Sequence, residues 1–268
     1  MDDFKKNTFT RLLGETSIPL LGDGAMGTVL NAHSIDFGQC FDALNLTHPA
    51  LVAETHRAYI DAGAQIIQTN TFGANYYKLG LRGLEKQVAD INRAGVKLAQ
   101  QARGDTFREI LIAGDVGPLG VRLAPYGRVQ PEDAETAFAE QIQALVTAGV
   151  DLLILETFSD LHELIAAVRA ARQVSDVPVV ASMTYTRDDL TLLGDSPAKV
   201  ARVLAENNVD VIGANCSGGP AQIWRIIRQM HRAVPSARFS VMPNAGWPEQ
   251  VGGRIMYPAN TEYFGEYA

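Results

Sequence analysis

Gly149-Val150-Asp151-Leu152-Leu153-Ile154-Leu155-Glu156 decides the fold class of this chain. A glycine ends a helical pattern, an unbroken leucine and isoleucine run follows an aspartate, and a carboxylate closes the stretch. Near-continuous Val, Ile and Leu without alternation is what a parallel strand covered on both faces requires. The same phrase recurs. Gly63 stands seven residues before Asn70, with Gln65-Ile66-Ile67-Gln68-Thr69 between them, and Asn208 stands seven before Asn215. Asparagine, like glycine, tolerates the left-handed conformation that ends many helices. Each unit therefore reads helix end, short turn, apolar strand, polar residue.

Working outward, the pattern predicts strands at 18–22, 65–69, 110–115, 151–156, 178–183, 210–214 and 239–243. It predicts helices at about 49–62, 84–102, 131–148, 160–173, 197–207 and 220–232. Pro49, Pro131, Pro197 and Pro220 stand near helix starts, where the missing N–H costs nothing. Leu161, Leu164, Ile165 and Val168 make a core-facing stripe on the fourth of these helices. Strands alternating with helices mean an α/β fold, either a TIM-type (β/α)8 barrel or a doubly wound sheet, and the repeat favours the barrel. Seven strands are one short of closure, and Pro248 to Ala268 carries no eighth apolar run. The expectation is a barrel lacking its last helix and strand.

The 268 residues, 47% of them apolar, suffice for one large core, so a single domain over 1–268 is expected. A net charge of −7 without a long basic run argues against a nucleic-acid partner. No apolar stretch approaches the ~20 residues of a membrane span, and the first residues lack a secretory h-region. Two cysteines without framework spacing suit a reducing, cytoplasmic setting.

A barrel carries its chemistry at the carboxyl ends of its strands. Those ends hold Asp23, Thr69-Asn70, Asp115, Glu156, Thr184, Asn215-Cys216 and Asn244. Cys216, delivered by Val211-Ile212-Gly213-Ala214-Asn215 into a glycine-rich loop, is a nucleophile, a metal ligand or a packed thiol. None of the six lysines falls at a strand end, so a Schiff-base aldolase lacks its amine. Carboxylates at Asp23, Asp115 and Glu156 suit a substrate bearing an ammonium group. Backbone N–H groups in Gly22-Asp23-Gly24-Ala25-Met26-Gly27 can hold a carboxylate, or the glycines simply serve a tight turn. Thr69 and Asn70 either bind substrate or satisfy their own loop. Glu156 and Asp115 act as base or amine ligand, or else as buried hydrogen-bonding groups. His33, His48, His56, His162 and His231 lie away from the strand ends, so no Cys–His dyad is evident. Cys40 reads as a packed loop thiol.

Six stretches carry a resemblance. They are Gly22-Asp23-Gly24-Ala25-Met26-Gly27-Thr28, Thr69-Asn70-Thr71-Phe72-Gly73-Ala74-Asn75, Gly114-Asp115-Val116-Gly117-Pro118, Leu155-Glu156-Thr157-Phe158, Gly213-Ala214-Asn215-Cys216 and Pro243-Asn244-Ala245-Gly246. In this order the chain resembles the homocysteine S-methyltransferase family, which includes the amino-terminal domain of cobalamin-dependent methionine synthase. Met242-Pro243-Asn244-Ala245-Gly246-Trp247-Pro248 is similar to bacterial enzymes that fuse this domain to a methylenetetrahydrofolate reductase. The resemblance implies a (β/α)8 barrel that transfers a methyl group to the zinc-activated thiol of homocysteine, giving methionine. It implies zinc held by three thiolates, of which Cys216 matches one. The other two belong to a Gly-Gly-Cys-Cys motif that this sequence does not contain. It further implies that Asp23 and Glu156 hold the substrate ammonium and that Gly24 and Ala25 hold its carboxylate. Thr69, Asn70, Asp115 and Asn215 complete the substrate-binding set. Cobalamin or folate would enter through other domains of a full-length protein. With one of three thiolates, the chain itself is expected to keep part of the pocket without catalysis. Two other readings stand beside this one: an inactive amino-acid-binding module with Cys216 merely packed, and a barrel lyase using Asp115 or Glu156 as base.

Overall fold

The computed structural model describes residues 8–15, 18–36, 38–104, 108–247, 249–251, 254–256 and 259–267. Four helices come first: α1 (Thr8–Glu15), α2 (Met26–Ala32), α3 (Leu44–Thr47) and α4 (Pro49–Asp61). Strands and helices then alternate through β1 (Ile66–Gln68), α5 (Tyr76–Gly80), α6 (Val88–Arg103), β2 (Leu111–Val116), α7 (Pro131–Ala148) and β3 (Leu152–Phe158). The alternation continues with α8 (Leu161–Val174), β4 (Val179–Met183), α9 (Pro197–Glu206), β5 (Val211–Cys216), α10 (Pro220–Ala233) and β6 (Phe239–Pro243). A hairpin of β7 (Glu249–Val251) and β8 (Arg254–Met256) precedes α11 (Thr261–Gly265).

The six longer-range strands pair in the order β1-β2-β3-β4-β5-β6, and the pairings are parallel. Sequential neighbours in a parallel sheet are the signature of repeated βα units. Four helices start as their prolines predict, with Pro49, Pro131, Pro197 and Pro220 in the first turn. The repeat also has the expected backbone cause: Gly63, Gly149 and Asn208 all have positive φ, at 111°, 94° and 55°. Each reverses the chain so that a strand begins within a few residues.

The chain divides into two compact units. The first runs to Ile154 and adds Arg169–Val179; the second comprises Leu155–Val168 and Val180–Ala268. In the first unit every residue of β2 is buried. Its Gly114 admits the side chains of Leu145 and Leu153, which a Cβ would meet at 3.1–3.3 Å. In the second, β5 is buried from Val211 to Asn215 and opens only at Cys216. Burial thus ends where the chemistry is expected to begin.

One predicted strand is corrected. Residues 18–22 form a single bridge, Gly22 with Ile66, rather than a strand. Pro19 has no N–H for a ladder, and Ile18 and Leu21 are exposed, so the run lacks the double burial that a central strand needs. Within the Pro248–Ala268 stretch, expected to carry no eighth apolar run, Glu249–Val251 and Arg254–Met256 pair as a separate antiparallel hairpin.

Candidate functional site

The strand-end residues fall into two sets, one in each unit. In the first, Asp23 follows the Gly22 bridge and is gripped by the last residue of β1. Gln68 donates its backbone N–H to Asp23 Oδ2 at 2.7 Å and its Nε2 to Oδ1 at 3.2 Å. Burial pushes the Asp23 carboxyl up to about 7, while the Gln68 hydrogen bonds pull it down. Tyr59 on α4 lies against the same turn. Its hydroxyl donates to Ala25 O at 2.9 Å, and its ring fills the place where a Gly24 Cβ would stand. A Cβ at position 24 would sit 3.0–3.3 Å from Tyr59, so a larger residue there needs the tyrosine ring to shift by a few tenths of an ångström.

Thr69, Thr71 and Asp115 close a directed ring. Asp115 N–H donates to Thr69 Oγ1 at 3.1 Å, and Thr71 Oγ1 donates to Asp115 O at 2.7 Å. Thr69 and Thr71 hydroxyls are 2.6 Å apart; with the Thr71 proton engaged, Thr69 is the donor of that pair. The ring ties the end of β1 to the end of β2. Asn70 is spent nearby, donating from Nδ2 to Phe41 O at 2.7 Å and to Asn45 Oδ1 at 3.1 Å. Thr69 and Asn70 are both buried, and these bonds are all to protein. Cys40 is half-buried with Sγ 3.8 Å from Asp42 Oδ2. Burial and that carboxylate push its thiol up, away from reactivity.

The second set surrounds Cys216. Thr157 and Asn215 exchange two bonds: Thr157 N–H to Asn215 Oδ1 at 2.8 Å, and Asn215 Nδ2 to Thr157 Oγ1 at 2.7 Å. Asn215 Nδ2 also lies 3.4 Å from Glu156 Oε2 and 3.6 Å from Cys216 Sγ. Thr157 Oγ1 is 3.5 Å from the same sulfur. Cys216 and Glu156 are half-buried, so a carboxylate and a thiol share one amide brace at a partly open strand end. Ser217 Oγ accepts from Tyr185 N–H at 2.7 Å and lies 3.0 Å from Thr184 Oγ1, while Asn244 Nδ2 donates to Ser217 O at 3.1 Å. Thr184, Asn215, Cys216 and Asn244, each expected at a strand end, are joined by this network.

Three contributors were not singled out from sequence: Gln68, Tyr59 and Thr157. A glutamine closing the apolar run Ile66-Ile67 is a readable signal. Tyr59 on its helix and Thr157 in its left-handed conformation leave none.

A three-thiolate zinc site does not fit the residues present. Among the described residues no group of three or more His, Cys, Asp or Glu side chains is arranged to hold a metal. Cys216 Sγ is flanked by a hydroxyl and an amide, which are poor ligands for zinc.

Comparison with known proteins agrees with the strand-end motifs. Residues 20–268 match the family model described as homocysteine S-methyltransferase. The chain is 32% identical to methionine synthase of Mycobacterium tuberculosis over 89% of its length, and 30% identical to that of Mycobacterium leprae over 92%. It spans only 21% and 22% of those two relatives. Among solved structures it resembles the metallated form of the homocysteine methyltransferase MmuM from Escherichia coli. That likeness has a TM-score of 0.77 at 27% identity, covering 88% of this chain and 86% of that one. The fold class is accordingly α/β of the TIM-type barrel, with six of its parallel strands among the described residues. On its motifs, its strand order and a match over nearly its whole length, the chain belongs to the homocysteine S-methyltransferase family.

Proposed function

We propose that the chain binds homocysteine and serves methyl transfer to its thiol, giving methionine. The observation that carries this is the brace at the ends of β3 and β5, where Asn215 holds Glu156 and Cys216 on one amide. A carboxylate beside a sulfur suits a substrate that carries an ammonium at one end and a thiol at the other. In the second unit Glu156 is the group proposed to take an ammonium; in the first, Asp23 is proposed for an ammonium and the N–H groups of Gly24 and Ala25 for a carboxylate. Asp115, Asn215, Thr69 and Asn70 shape the surroundings, the threonines chiefly by locking strand ends. In the reaction the homocysteine thiol gives its proton to solvent water, and the resulting thiolate attacks an electrophilic methyl carbon. The S–CH3 bond forms as the donor–CH3 bond breaks, and the donor keeps the bonding pair. Cys216 is the one residue of this chain proposed to match the family's zinc set. The methyl donor, whether methylcobalamin, a methylfolate or a methylsulfonium compound, comes from outside these residues, and a fused methylenetetrahydrofolate reductase is a proposed partner. Two cysteines outside any disulfide suit a cytoplasmic setting, and no helix among the described residues is long and apolar enough to cross a membrane.

The incomplete metal set favours a second reading, an amino-acid-binding module without transfer activity. Both readings predict homocysteine binding. By calorimetry, Glu156→Gln is expected to weaken homocysteine binding about tenfold or more, the loss of one charge-assisted hydrogen bond. The amine-free analogue 4-mercaptobutanoate should bind weakly and be indifferent to the substitution. Equal binding of the two compounds, in native and variant protein alike, removes the ammonium site and both readings with it.

A further inference from the structure

Thr157 has φ +62°, a conformation costly for a β-branched residue and open to glycine or asparagine at less strain. Cys216, with φ +53°, is its neighbour across β3 and β5. A threonine kept in such a backbone is kept for its side chain, and Asn215 fixes what that side chain does. Thr157 N–H donates to Asn215 Oδ1 at 2.8 Å, which settles which end of the amide is oxygen. The Nδ2 end then donates to Thr157 Oγ1 at 2.7 Å. A hydroxyl that accepts there has its own proton left to give. Among the described residues, Cys216 Sγ lies 3.5 Å from that hydroxyl.

We propose that Thr157 is a positioning residue for the Cys216 thiol, its hydroxyl donating to Sγ and holding that side chain in one rotamer, with Asn215 as the brace. The purpose of this arrangement rests on the methyl-transfer reading, since it presents a sulfur in a fixed direction at the strand end. Its geometry does not depend on that reading.

The test is alkylation of Cys216 by iodoacetamide at one fixed pH, resolved by peptide so that Cys40 does not interfere. The 268-residue chain is used, with neither homocysteine nor methyl donor present. Released from its hydrogen bond, the thiol is spread over three staggered wells, so Thr157→Ala should slow alkylation about threefold. Thr157→Ser, equally unbranched but still carrying the hydroxyl, should keep the native rate. Relief of backbone strain is common to both variants, so a purely structural role moves them together. Equal rates for Ser and Ala, fast or slow, overturn the proposal. Should Thr157→Ala not fold, Thr157→Gly, suited to positive φ, replaces it with the same expectation. Failure of homocysteine to bind would sink the functional reading and leave this result untouched; equal alkylation rates would do the reverse.

Discussion

Thr157, Cys216 and Ser217 are non-glycine residues at φ +62°, +53° and +62°, each a conformation costing of order ~1–3 kcal/mol unless its surroundings insist on it. The surroundings here do insist. Thr157 is clasped by Asn215 on both its N–H and its hydroxyl, and Ser217 is bound through Oγ by Tyr185 and through its carbonyl by Asn244. Between those two clamps the Cys216 backbone has little freedom, which is what a sulfur with one required direction needs. Direction alone does not make a metal site. A full structural ligand set gives zinc roughly 10–16 kcal/mol, and Cys216 brings one thiolate with a hydroxyl and an amide beside it. Calorimetric titration of the 268-residue chain with zinc should therefore show no stoichiometric, tight binding. A sharp one-to-one isotherm would mean that ligands now separate in this structure come together around the metal.

Strands β4 and β5 approach closely at Gly213, which pairs with Ser182 in the parallel register. A Cβ on Gly213 would fall on Ser182 Oγ and lie 2.9 Å from its Cβ and 3.3 Å from its Cα. The hydroxyl could turn away, but the backbone could not. Gly213→Ala should cost about 1–3 kcal/mol, the usual range for overpacking, seen as a lower urea midpoint. Adding Ser182→Gly should recover most of it. An unchanged midpoint for the single variant would show that β4 and β5 lie further apart. At this scale the sequence was most readable. The six central strands and the helices at 49–61, 88–103, 131–148, 161–174, 197–206 and 220–233 lie within a few residues of where apolar runs, prolines and positive-φ caps put them. The stretch at 18–22 failed because apolar composition is not burial: Ile18 and Leu21 stay exposed, and the pairing with β1 amounts to the single bridge of Gly22 with Ile66. Helices α2, α3, α5 and α11 span four to seven residues, too short for a 3.6-residue period to show. Cys216, Asn215 and Glu156 were legible because an apolar strand ends in each. The bond from Thr157 to Cys216 was not, since it depends on a φ angle that no sequence pattern announces.

Stability against pH sums over the molecule, and two buried groups of the first unit pull it in opposite directions. His56 is fully buried, and neither ring nitrogen has a hydrogen-bond partner among the described residues. Burial lowers it from 6.5 to about 4. A depressed folded value means that its contribution is present above pH 6.5 and is lost as pH falls through about 4. Asp23 runs the other way. Burial raises it from 3.8 to about 7, so its contribution is full below pH 3.8 and is lost as pH rises through about 7. A tenfold change in proton affinity is worth about 1.4 kcal/mol, which makes the two contributions of order 3 kcal/mol for His56 and about 4 kcal/mol for Asp23. Their slopes oppose each other across most of that range. Native protein should therefore show little net slope from this pair. Asp23→Asn leaves His56 unopposed, so the variant should lose stability on acidification from about pH 6.5 to about 4.5. His56→Leu leaves Asp23 unopposed, and its stability should instead fall as pH rises over the same interval. Urea midpoints at the two pH values, compared with native protein to cancel every other group, supply the check. Slopes of the same sign in the two variants would mean that one of these side chains is solvated in the folded state, and for Asp23 that would leave an ordinary ionised carboxylate awaiting the substrate's ammonium.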